Sequence, residues 1–123
     1  MNATTGDWLD ACLTRLRDAK VTVFGDFSID AYWTIDQDLS ERSVETGKAV
    51  HRVREQRYAL GGAGTIVNNL TALRVGQVRA VGMVGEDLFG RTMLDLFAAQ
   101  RVDAAGMLAA QADWQTSVYA KPY

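Results

Sequence analysis

The sequence predicts an α/β fold with a mostly parallel sheet. Three observations predict it. Short β-branched runs alternate along the chain with segments whose apolar residues recur at three- and four-residue spacing. Glycines fall at the junctions between these segments, where the chain must turn sharply. The length, 123 residues with 48% apolar, suits one domain with its own core.

The elements follow in order. Trp8, Leu9, Cys12, Leu13 and Leu16 share one face of a helix expected over residues 7–19, with Thr5 or Asp7 as its cap and Cys12 in the core. Lys20-Val21-Thr22-Val23-Phe24 reads as a buried strand closed by Gly25-Asp26. Residues 31–36, rich in aromatic and β-branched types, form a second strand. Residues 49–58 alternate, but neither side is apolar, so the expected strand is solvent-exposed. Leu60-Gly61-Gly62-Ala63-Gly64 reads as a break, followed by a helix over 65–73 that stops at Gly76. Residues 77–84 form a strand, 88–100 a helix behind the turn Gly85-Glu86-Asp87, Met107-Leu108 a short strand and 116–121 a last strand.

Composition excludes several classes. One Pro and one Cys leave no collagen-like chain and no disulfide scaffold. A formal charge of −2, from 13 Lys+Arg and 15 Asp+Glu, gives no general pull toward nucleic acid or membrane. No apolar run approaches the roughly 20 residues of a membrane span. The first residues lack the basic and apolar regions of a secretory signal, so the expected location is cytoplasmic and the sequons at Asn2 and Asn69 carry no chemistry. Charge is uneven: residues 1–38 carry a net −4, and 39–60, which hold the single His51, a net +2. That middle block reads as an excursion from the compact domain.

The main chemical signal is Gly61-Gly62-Ala63-Gly64 before a helix. Small residues let backbone approach a ligand, and a helix N-terminus offers free N–H groups. Such a turn suits an anion or a polyhydroxyl ligand; equally, it can be a tight turn that binds nothing. A dinucleotide fingerprint starting at Gly62 would place its third small residue on Val67, with Glu86 at roughly the distance of the ribose acid. A P-loop fails, because Gly47-Lys48 is followed by Ala49. No His/Cys pattern supports a metal site. Asp26 and Asp30 flank the end of the first strand, where α/β sheets bind ligands; Asp26 suits turn capping, and Asp30 suits either the surface or sugar hydroxyls. His51 and the Arg52/Arg54/Arg57 stripe suit a solvated strand face, the arginines alternatively a phosphate or a partner. Trp8, Trp33 and Trp114 read as packing residues.

Three motifs in order resemble the PfkB/ribokinase family of carbohydrate kinases. They are Val23-Phe24-Gly25-Asp26-Phe27-Ser28-Ile29-Asp30-Ala31-Tyr32, Leu60-Gly61-Gly62-Ala63-Gly64-Thr65-Ile66-Val67-Asn68-Asn69-Leu70, and Val81-Gly82-Met83-Val84-Gly85-Glu86-Asp87-Leu88-Phe89-Gly90. Within the family they are most similar to the kinase domain of the bifunctional heptose kinase/adenylyltransferase. The resemblance implies a Rossmann-like ribokinase fold, of which the chain is the N-terminal, sugar-binding half. It implies that Asp30 binds sugar hydroxyls, that Gly61 and Gly62 lie against the sugar, and that a small β-lid within residues 31–58 closes over it and makes a dimer contact. Thr65 stands where the family usually has Asn, with Asn68 or Asn69 able to compensate; Thr65 and Asn69 join the expected binding set.

The family's catalytic Asp, in a Gly-Ala-Gly-Asp motif of the C-terminal half, has no counterpart in this sequence, so no residue is assigned as catalytic. ATP and Mg2+ are implied for a complete enzyme and neither is expected to bind this chain tightly. The chain alone is expected to be inactive and, with a lid and an open sheet edge, to be a homodimer. Two other readings remain open: a non-catalytic binding or dimerisation module of the same fold, and a small dinucleotide-binding domain.

Overall fold

The computed structural model describes residues 5–109 and 114–123. The Thr5 side chain, the Asn2 sequon and the end of the 102–112 segment lie outside the described residues. The elements are α1 (Thr5–Leu16), β1 (Lys20–Phe24), β2 (Phe27–Arg42), β3 (Ala49–Gly62), α2 (Ala63–Ala72), β4 (Gln77–Val84), α3 (Leu88–Ala99), β5 (Asp103–Ala109) and β6 (Ser117–Pro122).

The strands divide between two sheets. One is parallel, in the order β1-β4-β5. The other has the order β3-β2-β6, with β2 antiparallel to β3 and parallel to β6. The chain changes sheet at Gly25-Asp26. Gly25 N–H still donates to the Val81 carbonyl of β4 (3.2 Å), and Phe27 then opens the second sheet. The Phe27 ring lies over Gly82, where an added Cβ would stand 2.7 Å from a ring carbon. Residues 31–58, the expected excursion, fall within the long β2–β3 hairpin, whose far end is exposed.

The core sits between the sheets and helices α2 and α3. Val23, Val78, Ala80 and Val84 come from the parallel sheet, Phe27, Ile29 and Leu60 from the hairpin, Val67 from α2, and Met93 and Phe97 from α3. Phe27 meets Phe97 edge-to-face, with ring centroids 5.5 Å apart. This burial follows from the sequence patterns: alternate residues of β4 and one face of α3 are apolar.

The two sheets are joined at one carboxylate. Asp87 caps α3 by accepting from Gly90 N–H at 2.7 Å, and its other oxygen accepts from Thr116 N–H at 2.7 Å. The Thr116 hydroxyl in turn accepts from Gly85 N–H at 2.9 Å. Burial alone would push the Asp87 carboxyl up. The donors from Thr116, Gly90 and Phe89 outweigh it and hold the group below its usual range.

Several expectations are corrected. Gly61 and Gly62 end a strand instead of forming a separate turn, and β2 begins four residues earlier than the pattern suggests. Trp8 is 64% exposed and Trp114 44% exposed, so neither is a packing residue. Cys12 is only half-buried, because α1 turns Trp8, Leu9 and Leu13 to solvent. His51 is exposed, as expected, and meets the Ser40 hydroxyl at 3.3 Å.

Candidate functional site

The site forms where the root of the β2–β3 hairpin meets the start of α2. Period-two alternation along β2 sends Phe27, Ile29 and Ala31 into the core and Ser28, Asp30 and Tyr32 to the opposite face. Across the sheet, Gly61 pairs with Ser28 and Arg57 with Tyr32. On the other side Tyr119 pairs with Asp30 and Lys121 with Tyr32. One face therefore gathers a carboxylate, two cations and two phenols around a bare glycine.

Gly61 is required by that arrangement. A Cβ there would stand 2.6 Å from the Ser28 hydroxyl and 3.0 Å from Asp30 Oδ1. Asp30 Oδ2 pairs with Lys121 Nζ at 2.9 Å, while Oδ1 faces the gap that Gly61 leaves. The hydrogen bond to Asp30 raises the Lys121 pKa above its ordinary value. Lys121 Nζ also lies 4.8 Å from the Tyr32 ring centre, and the Arg57 guanidinium lies 4.0 Å from it.

Gly62 has φ +57° and turns the chain from β3 directly into α2. A Cβ there would stand 2.5 Å from the Asp26 carbonyl oxygen. That oxygen accepts from Ala63 N–H at 2.8 Å, so Asp26 contributes its backbone to the turn. No side chain caps α2. Its N-terminus is thus left to backbone and to whatever approaches it.

The structure brings Asp30 and Gly61 into direct contact and sets Gly62 beside them. Thr65 and Asn69 are exposed on α2, one turn apart, and no described side-chain hydrogen bond joins either to Asp30. Asn68 is committed elsewhere: its Oδ1 accepts from Gln100 Nε2 at 2.8 Å, so it does not stand in for the Asn that Thr65 replaces. Sequence reasoning missed Lys121, Tyr32 and Ser28 as neighbours of Asp30. Only the parallel pairing of β2 with β6, across 89 positions, places Lys121 beside Tyr32. Arg57 had a signal, the basic stripe, but not its stacking on Tyr32. The dinucleotide reading loses its geometry. The strand before the glycines is half-exposed and antiparallel to its neighbour, not a buried parallel strand, and position 67 holds a buried Val.

The pfkB family carbohydrate kinase pattern matches residues 18–120, from the approach to β1 through β6. The chain belongs to this family. It is 36% identical over 90 residues to the bifunctional protein HldE of Helicobacter pylori (strain P12), covering 72% of this chain and 19% of that protein. Against HldE of Haemophilus influenzae (strain PittEE) it is 33% identical over 87 residues, 71% of this chain and 18% of the relative. The chain thus spans about a fifth of the curated relatives it matches. Among solved structures, fructokinase with bound ATP from Xylella fastidiosa superimposes with a TM-score of 0.57 and 25% identity, covering 84% of this chain and 29% of that one. A carbohydrate kinase from Agrobacterium tumefaciens gives a TM-score of 0.61 at 20% identity, covering 84% and 31%. The ribokinase-like α/β fold and the likeness to the heptose kinase branch are therefore both found.

Among the described residues no three His, Cys, Asp or Glu side chains gather. Nor is any helix among them long and apolar enough to cross a membrane.

Proposed function

We propose that this chain supplies the sugar-binding part of an ATP-dependent carbohydrate kinase, one that phosphorylates a hydroxyl of a sugar or sugar phosphate. The carrying observation is the Asp30 carboxylate held against Gly61, with Lys121 on one oxygen and the other beside the space that the missing Gly61 side chain leaves. A carboxylate so placed accepts hydrogen bonds from vicinal hydroxyls. Gly61 keeps its approach clear, and the uncapped α2 N-terminus adds a partial positive charge beside it. Lys121 and Arg57 favour a substrate with an anionic substituent near the hydroxyls that Asp30 holds. Gly62 lines the same approach, and Thr65 and Asn69 extend it along α2. Phosphoryl transfer is mostly positioning and charge stabilisation, so this segment's part is to fix the acceptor hydroxyl while ATP and Mg2+ are held by other parts of the enzyme.

The test is saturation-transfer NMR of the chain against a panel of sugars and sugar phosphates. A binding sugar is expected, and Asp30→Asn is expected to weaken it by about 2 kcal/mol, the scale of a charge-assisted hydrogen bond. Equal binding by the Asn variant would remove Asp30 from the site.

The exposed hairpin, within residues 31–58, is proposed as a lid over this site and as a homodimer contact. Leu39 and Val50 are exposed at its far end, and β6 leaves one edge open. Sedimentation is expected to show a dimer that Trp33→Glu dissociates. A monomer across micromolar concentrations would rule the contact out.

A further inference from the structure

A second cluster of charge lies at the opposite end of the parallel sheet, beside the starts of β1 and β4. Arg17, Arg74 and Arg101 line a cleft of about 360 Å³ together with Thr71 and Gln100. No carboxylate lines it; Asp18 belongs to the neighbouring depression, with Arg17 shared between the two. None of the three arginines takes part in a described ion pair, which join Arg79 to Asp103 and Lys121 to Asp30.

The backbone builds this convergence. Helices α2 and α3 end in the same way. Val75 N–H donates to the Leu70 carbonyl (3.1 Å) and Val102 N–H to the Phe97 carbonyl (3.0 Å), each closing the last turn around one left-handed residue. Those residues are Arg74, at φ +59°, and Arg101, at φ +58°. This position favours glycine, and a long side chain there costs free energy that glycine would not. Both helices nevertheless carry arginine, and both arginines face one cleft.

The two helix ends are also locked together. The Thr71 hydroxyl donates to Gln100 Oε1 at 2.8 Å, and Gln100 Nε2 donates to Asn68 Oδ1 at 2.8 Å. Arg17 is brought in by the turn after α1, where Gly76 N–H donates to the Leu16 carbonyl at 2.9 Å. A Cβ at position 76 would overlap the Arg17 carbonyl oxygen. Three like charges lining one cleft repel one another, and an anion between them relieves that repulsion.

We infer that this cleft is a second ligand site, for the phosphate chain of a small oligophosphate, free or carried by a nucleotide. Arginine forks suit phosphate oxygens bidentately. Exposed cations hold a monoanion too weakly to matter at cellular salt, whereas a polyanion engages all three at once. The site lies away from the Asp30–Gly61 face and does not depend on its role.

The experiment is calorimetric titration of the full chain with tripolyphosphate, ATP and adenosine at low and at physiological salt, with melting curves alongside. Tripolyphosphate is expected to bind near one per chain, more weakly as salt rises. Arg74→Gly and Arg101→Gly are each expected to lower affinity about tenfold while leaving the melting temperature unchanged or higher, since glycine suits both positions. Equal affinity for ATP and tripolyphosphate assigns the site to the phosphate chain, and tighter ATP assigns it to a nucleotide. Absence of tripolyphosphate binding at low salt, or undiminished affinity in the double variant, overturns the inference.

Discussion

Helices α1 and α3 are each 12 residues long and each carries an apolar face, yet they end in opposite environments. α3 buries Met93 and Phe97 completely beneath the sheets. α1 leaves Trp8 at 64%, Leu9 at 49% and Leu13 at 39% exposure. The difference lies in what surrounds them. α3 is fixed at its start by the Asp87 cap and packs on strands from both sheets, while α1 is joined through the backbone of its final turn. An apolar stripe states which face a helix would bury, not whether a neighbour exists to cover it.

The largest test of that contrast is truncation. Phe97→Ala is expected to cost about 3–5 kcal/mol, or to unfold the chain, because it empties the centre of the core. Leu13→Ala, at the exposed end of the comparison, is expected to stay within about 0.5 kcal/mol. Urea denaturation of both variants decides it. A comparable loss at Leu13 would mean that α1 is covered in solution.

A medium effect is expected at the joint between the sheets. Asp87→Ala removes both the α3 cap and the bond to Thr116, a loss of about 2 kcal/mol. Its pH dependence has a definite sign. The folded carboxyl titrates below its unfolded value of roughly 3.9, so its stabilisation is full above that pH and is lost as pH falls through the folded value. Melting temperatures between about pH 2 and 5 should fall more steeply in the native chain than in Asp87→Asn. Parallel curves would mean that the clamp does not titrate.

Local pattern made much of the fold legible. β1 and β4 match their predicted bounds, because a short β-branched run between glycines and helix faces has few other readings. β1 is not the buried strand expected: it lies at the edge of its sheet, where only Val23 is buried and Phe24 is 82% exposed. The start of β2 was not legible, because the strand begins directly after Gly25-Asp26 with no further residues between, so Phe27-Ser28-Ile29-Asp30 reads as part of the turn. The alternation of β3 is also broken near Arg54, where Thr34 pairs with Glu55 but Ile35 with Val53. Of the candidate site, Asp30 and Gly61 were legible from their motifs. Lys121 was not, since its place beside Asp30 depends on a pairing between distant segments that no local period encodes.

The length of β2 has a mechanical side. Its 16 residues run from the core to the far end of the hairpin, roughly 50 Å if fully extended. Asp30 is the fourth residue of that strand, close to where the core grips it. Any displacement of Arg42 reaches Asp30 only along the stretch of strand between them, where the pairing with β3 shifts register twice. The register shifts opposite Arg54 and beyond Asp36 are the joints at which such a strand gives first. Bending taken up at these two places is bending that the Asp30 carboxylate at the root does not feel.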